Sequence, residues 1–86
     1  MEEDIGRVTH YFSKIGVAVI AVSSGSLKAG ETIRIKGHTS DLLQTVGSLQ
    51  QEHHTVTEVK AGDSGAMKVT EHVREGDRVF KVTGEG

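Results

Sequence analysis

One run of sequence restricts the fold more than any other: GVAVIAVSSGSLKAGETIRIKG, residues 16–37. Residues 16–22 are almost wholly apolar, and Val17, Val19, Ile20 and Val22 are stiff at χ1 and suit a pleated surface. Residues 32–36 alternate strictly. Ile33 and Ile35 therefore share one face, while Thr32, Arg34 and Lys36 share the other. Between the two runs, residues 25–31 read as a turn whose glycines accept positive φ and whose Leu27 can plug the end of a barrel. The pair reads as two β-strands, with the rest of the chain built to close around them.

Taken in order, residues 5–12 are a first strand, with Val8 and Phe12 on one parity and Arg7, Thr9 and Tyr11 on the other. The short link 13–16 makes an antiparallel hairpin with the next strand. Residues 37–40 are a polar break. In residues 41–51, Leu42, Leu43, Val46 and Leu49 fall at helical spacing, but Thr45, Val46 and Gly47 interrupt a helix. This segment is read as a strand, with Gly47 marking a bulge or a close backbone approach. Residues 55–60, 66–70 and 77–83 complete the strands, separated by a turn at 61–65 and a loop at 71–76, and residues 84–86 are expected to fray. Seven short strands with regular turn signals predict an all-β domain, a small closed barrel or a sandwich, occupying residues 1–86 as a single unit.

At 86 residues one core is available, and a chain of this size buries roughly two-thirds of its unfolded surface. The absence of cysteine removes disulfides and thiolate metal sites. No apolar run approaches the roughly 20 residues of a membrane span, and the acidic start is unlike a signal peptide. A soluble cytoplasmic protein without membrane contact is expected. Ten Lys and Arg face twelve Asp and Glu, and residues 41–86 carry eight acidic against five basic side chains. Neither half has the dense basic footprint of a chain that grips nucleic acid through phosphates alone. One Tyr and two Phe also leave little for base stacking.

Few residues carry recognisable chemistry. Residues 25–32 trace the outline of a phosphate loop, but Glu31 stands where a lysine must hold the phosphates, so no nucleotide is expected on this chain alone. His53 and His54 are adjacent and point to opposite faces if on a strand. A third ligand would have to come from His10, His38 or His72, and no zinc-like spacing is present. Ser23, Ser24 and Ser26 lie in a turn without a base beside them, and Asp63, Glu71, Glu75 and Asp77 fall in turns. Arg7, Arg34 and Lys36 read as the solvated outer face of an amphipathic sheet. No catalytic residue, metal or cofactor is assigned, and the chain is read as a non-enzyme.

An ordered set of short motifs then points to known families. These are Gly6-x-Val8 with Tyr11 and Phe12, Gly16-Val17-Ala18-Val19-Ile20, and Gly25-x-Leu27-Lys28-x-Gly30-Glu31-x-Ile33. Val46-x-Ser48-Leu49-Gln50, Ala61-Gly62-Asp63-x-Gly65 and Val73-Arg74-x-Gly76-Asp77-x-Val79-x-Lys81-Val82 follow. In this order the chain resembles domain two of the elongation factor Tu-type translational GTPases. It is also similar to the C-terminal domain of the collagenase-like peptidase family, which includes enzymes linked to tRNA hydroxylation. The first resemblance implies a barrel of six or seven strands that contacts the acceptor end of tRNA, with matching positions at Ser48-Leu49-Gln50 and Gly62-Asp63-Ser64. The sequence carries no GTPase domain, and Ser64 replaces the family's Asn.

The resulting expectation is a non-catalytic, translation-factor-like binding module that docks to tRNA, ribosomal RNA or a translation-related protein. Its candidate contacts are Lys14, Gln50, Gln51, His53, His54, Asp63 and Ser64. The alternative is a protein–protein accessory subunit or adaptor for a peptidase-like or tRNA-modifying enzyme. A small metal-dependent enzyme using the histidines ranks third.

Overall fold

The computed structural model describes residues 2–38 and 40–83. These form ten β-strands and no helix: β1 (Glu2–Phe12), β2 (Val17–Val22), β3 (Ser26–Lys28), β4 (Thr32–Lys36), β5 (Asp41–Thr45), β6 (Leu49–Gln51), β7 (His54–Val56), β8 (Glu58–Lys60), β9 (Ser64–Lys68) and β10 (Arg78–Val82). Eight pair in the order β5-β4-β10-β1-β2-β9-β6-β7, and β3 pairs separately with β8. Every pairing is antiparallel. The expected strand over 32–36 coincides with β4, and its Ile33 and Ile35 are completely buried. Leu27, the expected plug, is also completely buried; it lies on β3, within the segment read as a turn.

The ladder has two ends, β5 and β7, where a closed ring of six or seven strands was expected. Residues 41–51 are the reason. The single predicted strand leaves the ladder at residues 46–48, so β5 serves β4 while β6 serves β9. Gly47 makes no close backbone approach, since a Cβ there would meet open space. Residues 55–60 likewise split into β7 and β8 around Thr57. The β5 end is nonetheless tied down. On its paired side, Val46 N–H donating to Glu31 O at 2.7 Å and Gly30 N–H donating to Val46 O at 2.8 Å carry the β4–β5 ladder one residue further. The Gln44 carboxamide then reaches the far end of β9, donating to Lys68 O at 3.0 Å and accepting from Thr70 N–H at 2.9 Å. A side-chain amide thus takes the part that a peptide group plays in a ladder.

The core gathers Ile5, Ile20, Leu27, Ile33, Ile35 and Leu49 with neighbouring Val and Met67, each all but removed from solvent. Burial of one such side chain stabilises the fold by about 1.5–3 kcal/mol. Gly65 faces inward opposite Ile20, and an added Cβ would collide with Val59 on β8. Its lack of a side chain is what lets β8 lie against β9. Asp77 is buried at the turn before β10, where its Oδ2 accepts Arg74 N–H at 2.9 Å.

β1 carries two bulges, at Ile5 against β10 and at Thr9 against β2. The second inverts an expectation. Val8 pairs with Ile20 and His10 with Val19, so Thr9 is an extra residue that switches the parity of all that follows. Tyr11 therefore packs against the core, while Phe12 turns outward and is half exposed. The frayed end expected at 84–86, and Thr39 within the polar break, lie outside the described residues.

Candidate functional site

The six strand residues of β2 are apolar on both parities. Ala18, Ile20 and Val22 fill the core, and the other face presents Val17 and Val19, which remain only half-buried. A strand with two apolar faces is normally covered on both. Here the outward face becomes the floor of an open groove of about 930 Å³, together with Ala66 and Gly65 of β9. Phe12 and Ile15, at the β1–β2 hairpin tip, stand on one side and are 50% and 61% exposed. The β6–β7 hairpin supplies Gln50, Gln51, Glu52, His53, His54 and Val56, and Asp63 and Ser64 complete the lining.

The β6–β7 connection is a two-residue turn, with Gln51 paired to His54. Glu52 and His53 both have positive φ, 48° and 69°. That is the geometry of the tight hairpin turn for which Asn-Gly is preferred, because a Cβ crowds the following carbonyl in this region. The turn is held all the same. Gln51 Nε2 donates to Ser64 O at 3.2 Å, and Leu49 is fully buried beneath it.

Six of the seven candidate contacts therefore line one groove: Gln50, Gln51, His53, His54, Asp63 and Ser64. Lys14 is exposed at the hairpin tip beside Ile15 and is not part of the lining. Sequence reasoning missed the apolar half of the site, namely Phe12, Ile15, Val17 and Val19. Two signals carried it: a strand apolar on both parities, and two apolar residues flanking a hairpin tip that is ordinarily polar. Glu52 was missed because nothing in its neighbours distinguishes a strained turn residue from any surface glutamate.

The electrostatics of the groove are one-sided. Its lining contains two carboxylates, Glu52 and Asp63, and no Lys or Arg. On the sheet's far outer face several basic side chains are already engaged. Arg34 donates to Glu2 and Asp41, and Arg78 to Asp4; Lys81, on the inward parity of β10 with Val79, lies 3.6 Å from Glu31. Hydrogen bonds to Asp41 and then Glu2 hold the Arg34 guanidinium above its usual titration range. Glu31, where a phosphate loop needs lysine, also accepts Lys28 N–H at 3.1 Å and so braces its own turn. Among the described residues no three His, Asp or Glu side chains converge on a point that could hold a metal ion. His10 instead contacts Glu75 at 3.3 Å, and His72 packs edge-on against Tyr11. No helix among the described residues is long and apolar enough to cross a membrane.

Comparison with known proteins decides between the two resemblances. The chain is 40% identical over 78 residues to an uncharacterized protease of Methanocaldococcus jannaschii, covering 90% of this chain and 19% of that protein. It is 33% identical, again over 78 residues, to a collagenase of Porphyromonas gingivalis, covering 90% of this chain and 22% of that protein. Its fold superimposes on the C-terminal domain of a Geobacillus thermoleovorans protein described as a U32 peptidase. There the TM-score is 0.86 with 15% identity, over 94% of this chain and 93% of that one. The chain is similar to the C-terminal domain of U32 collagenase-like peptidases. It spans about a fifth of the length of the curated relatives it matches. No family model matches the sequence. The expected assignment as a translation-factor, RNA-binding domain is corrected by these relatives, which are peptidases. The charge of the groove agrees, since Glu52 and Asp63 would repel phosphate where an RNA contact needs cations.

Proposed function

We propose that this chain is a non-catalytic binding domain of the collagenase-like peptidase type, which works beside a larger peptidase body and engages protein, not nucleic acid. The observation that carries the reading is the groove. It joins an apolar floor to a polar, acidic rim, and it sits on a fold that in the matched proteases makes up about a fifth of the chain. Such a mixture of apolar floor and polar rim is what protein recognition surfaces use. No described serine, histidine and carboxylate are hydrogen-bonded to one another as a nucleophile with its base would be, which favours binding over turnover.

Two measurements test this. The purified chain, mixed with the separately produced larger part of the Methanocaldococcus jannaschii protease, is expected to co-sediment as a one-to-one complex. Alone, it is expected to release no fragments from labelled gelatin. Gelatin hydrolysis that follows the pure chain and disappears in its Asp63→Asn or His54→Gln variant would overturn the reading.

A further inference from the structure

We infer that the groove over the outward face of β2 is covered by a second copy of this chain, in a twofold dimer where Lys14 and Lys68 of each copy meet Glu52 and Asp63 of the other. The register sets out the charges. Along β2 the outward residues Val17, Val19 and Ala21 pair with Lys68, Ala66 and Ser64 of β9. β6 runs antiparallel to β9, with Leu49 opposite Met67 and Gln50 opposite Ala66, so the turn at Glu52 and His53 arrives beside Ser64. The hydrogen bond from Gln51 Nε2 to Ser64 O fixes it there. Glu52 and Asp63 therefore stand at the Ala21 end of the face. At the Val17 end stand Lys68, beside Val17 in the ladder, and Lys14, on the tip of the β1–β2 hairpin. The step from Val17 to Ala21 spans about 13 Å, and Val17, Val19 and Ala66 form the floor between the two ends. All four charged residues are exposed, and none is ion-paired among the described residues.

A face with cations at one end, carboxylates at the other and apolar side chains between is complementary to itself when a copy is turned through a half-rotation about its middle. Each cationic end then lies over an acidic end. The two apolar floors close on each other, together with Phe12 and Ile15 from both hairpin tips. An uncharged partner would leave the four charges unmatched, and a partner of one sign would be repelled at one end. The apolar floor agrees, since seams between identical subunits are richer in apolar area than those between changing partners. Arg7, which pairs with Ala21 from β1, lies outside the lining and on the side away from β6. This identity for the occupant rests on the reading of the groove above as a protein-binding surface, and it requires no peptidase body.

The test is sedimentation equilibrium of the purified chain over a dilution series reaching about 1 mM, where even a weak interface associates. A reversible monomer–dimer equilibrium is expected. Lys14→Glu with Lys68→Glu makes both ends acidic, and Glu52→Lys with Asp63→Lys makes both basic. Each pair of changes is expected to weaken self-association by at least about tenfold. An equal mixture of the two reversed variants is expected to form a heterodimer, and the variant carrying all four changes is expected to recover the homodimer. A merely structural effect of the substitutions would not be undone by combining them. All four sites are exposed, so the fold is retained, as far-ultraviolet circular dichroism would verify. A chain that stays monomeric throughout, a dimer indifferent to both reversals, or no recovery in the fourfold variant overturns the inference. A monomeric chain that still binds the peptidase body would overturn it and leave the accessory-domain reading standing. A charge-sensitive dimer that binds no body would do the reverse.

Discussion

The two ends of the main sheet are finished in opposite ways. At β5, the Gln44 carboxamide bridges from the edge to Lys68 and Thr70 at the end of β9. At β7 no described strand pairs with the second edge, and the hairpin that carries it turns through Glu52 and His53 at positive φ beside a half-apolar groove. Unpaired edges invite other chains, and proteins ordinarily cover them. A fold that closes one edge with a side chain and leaves the other open beside its acidic groove has separated a structural end from a binding end.

The sharpest way to break this contrast is to remove the anchor of the open end. Leu49→Ala empties a fully buried position under β6 and is expected to cost about 2–5 kcal/mol in urea unfolding. Amides of β6 and β7 should lose protection from hydrogen exchange before those of β4 and β10. Uniform loss of protection would show that the two ends unfold as one.

The closed end is tested next. Gln44→Ala removes a donor and an acceptor and is expected to cost about 1 kcal/mol, with faster exchange at the Thr70 amide and none of the change reaching Thr55. Gln44→Glu should be no better than alanine, because its carboxylate would face the Lys68 carbonyl. Restored stability in Gln44→Glu would show that only the Thr70 bond matters.

The strained turn gives a smaller effect of opposite sign. Glu52→Asn together with His53→Gly matches the residues to their φ and is expected to raise stability by about 0.5–1 kcal/mol in thermal melts. A loss instead would show that Glu52 or His53 makes contacts that outweigh backbone strain.

The smallest change is expected on the far outer face. Arg34→Met should lower stability slightly at low salt and not at high salt, as for an exposed ion pair. The sign of its pH dependence follows from the raised titration range of Arg34. Its contribution is complete at neutral pH and, on the alkaline side, is lost as the pH passes above that range. A neutral-range pH dependence that vanishes in Arg34→Met would contradict this.

Much of the fold was legible because alternation is a local signal. Ile33 and Ile35 declare an inner face by their spacing alone, and the apolar run of β2 declares a covered strand. What could not be read was where a strand changes partner. The segment from Asp41 to Gln51 has one hydrophobic pattern but serves two neighbours, and the neighbours are fixed only by tertiary pairing. The site divides the same way. His53, His54 and Asp63 draw notice by residue type, whereas Phe12 joins them only because Thr9 is an extra residue in β1, and no propensity marks an insertion.

That extra residue has a consequence for how such a groove can arise. Were Thr9 paired opposite Val19 in simple alternation and not bulged out, Phe12 would take the inward place now held by Tyr11, and one bank of the channel would be lost while the core remained aromatic. The placing of one residue, in the ladder or bulged out of it, thus decides between a plain structural surface and one with a grip.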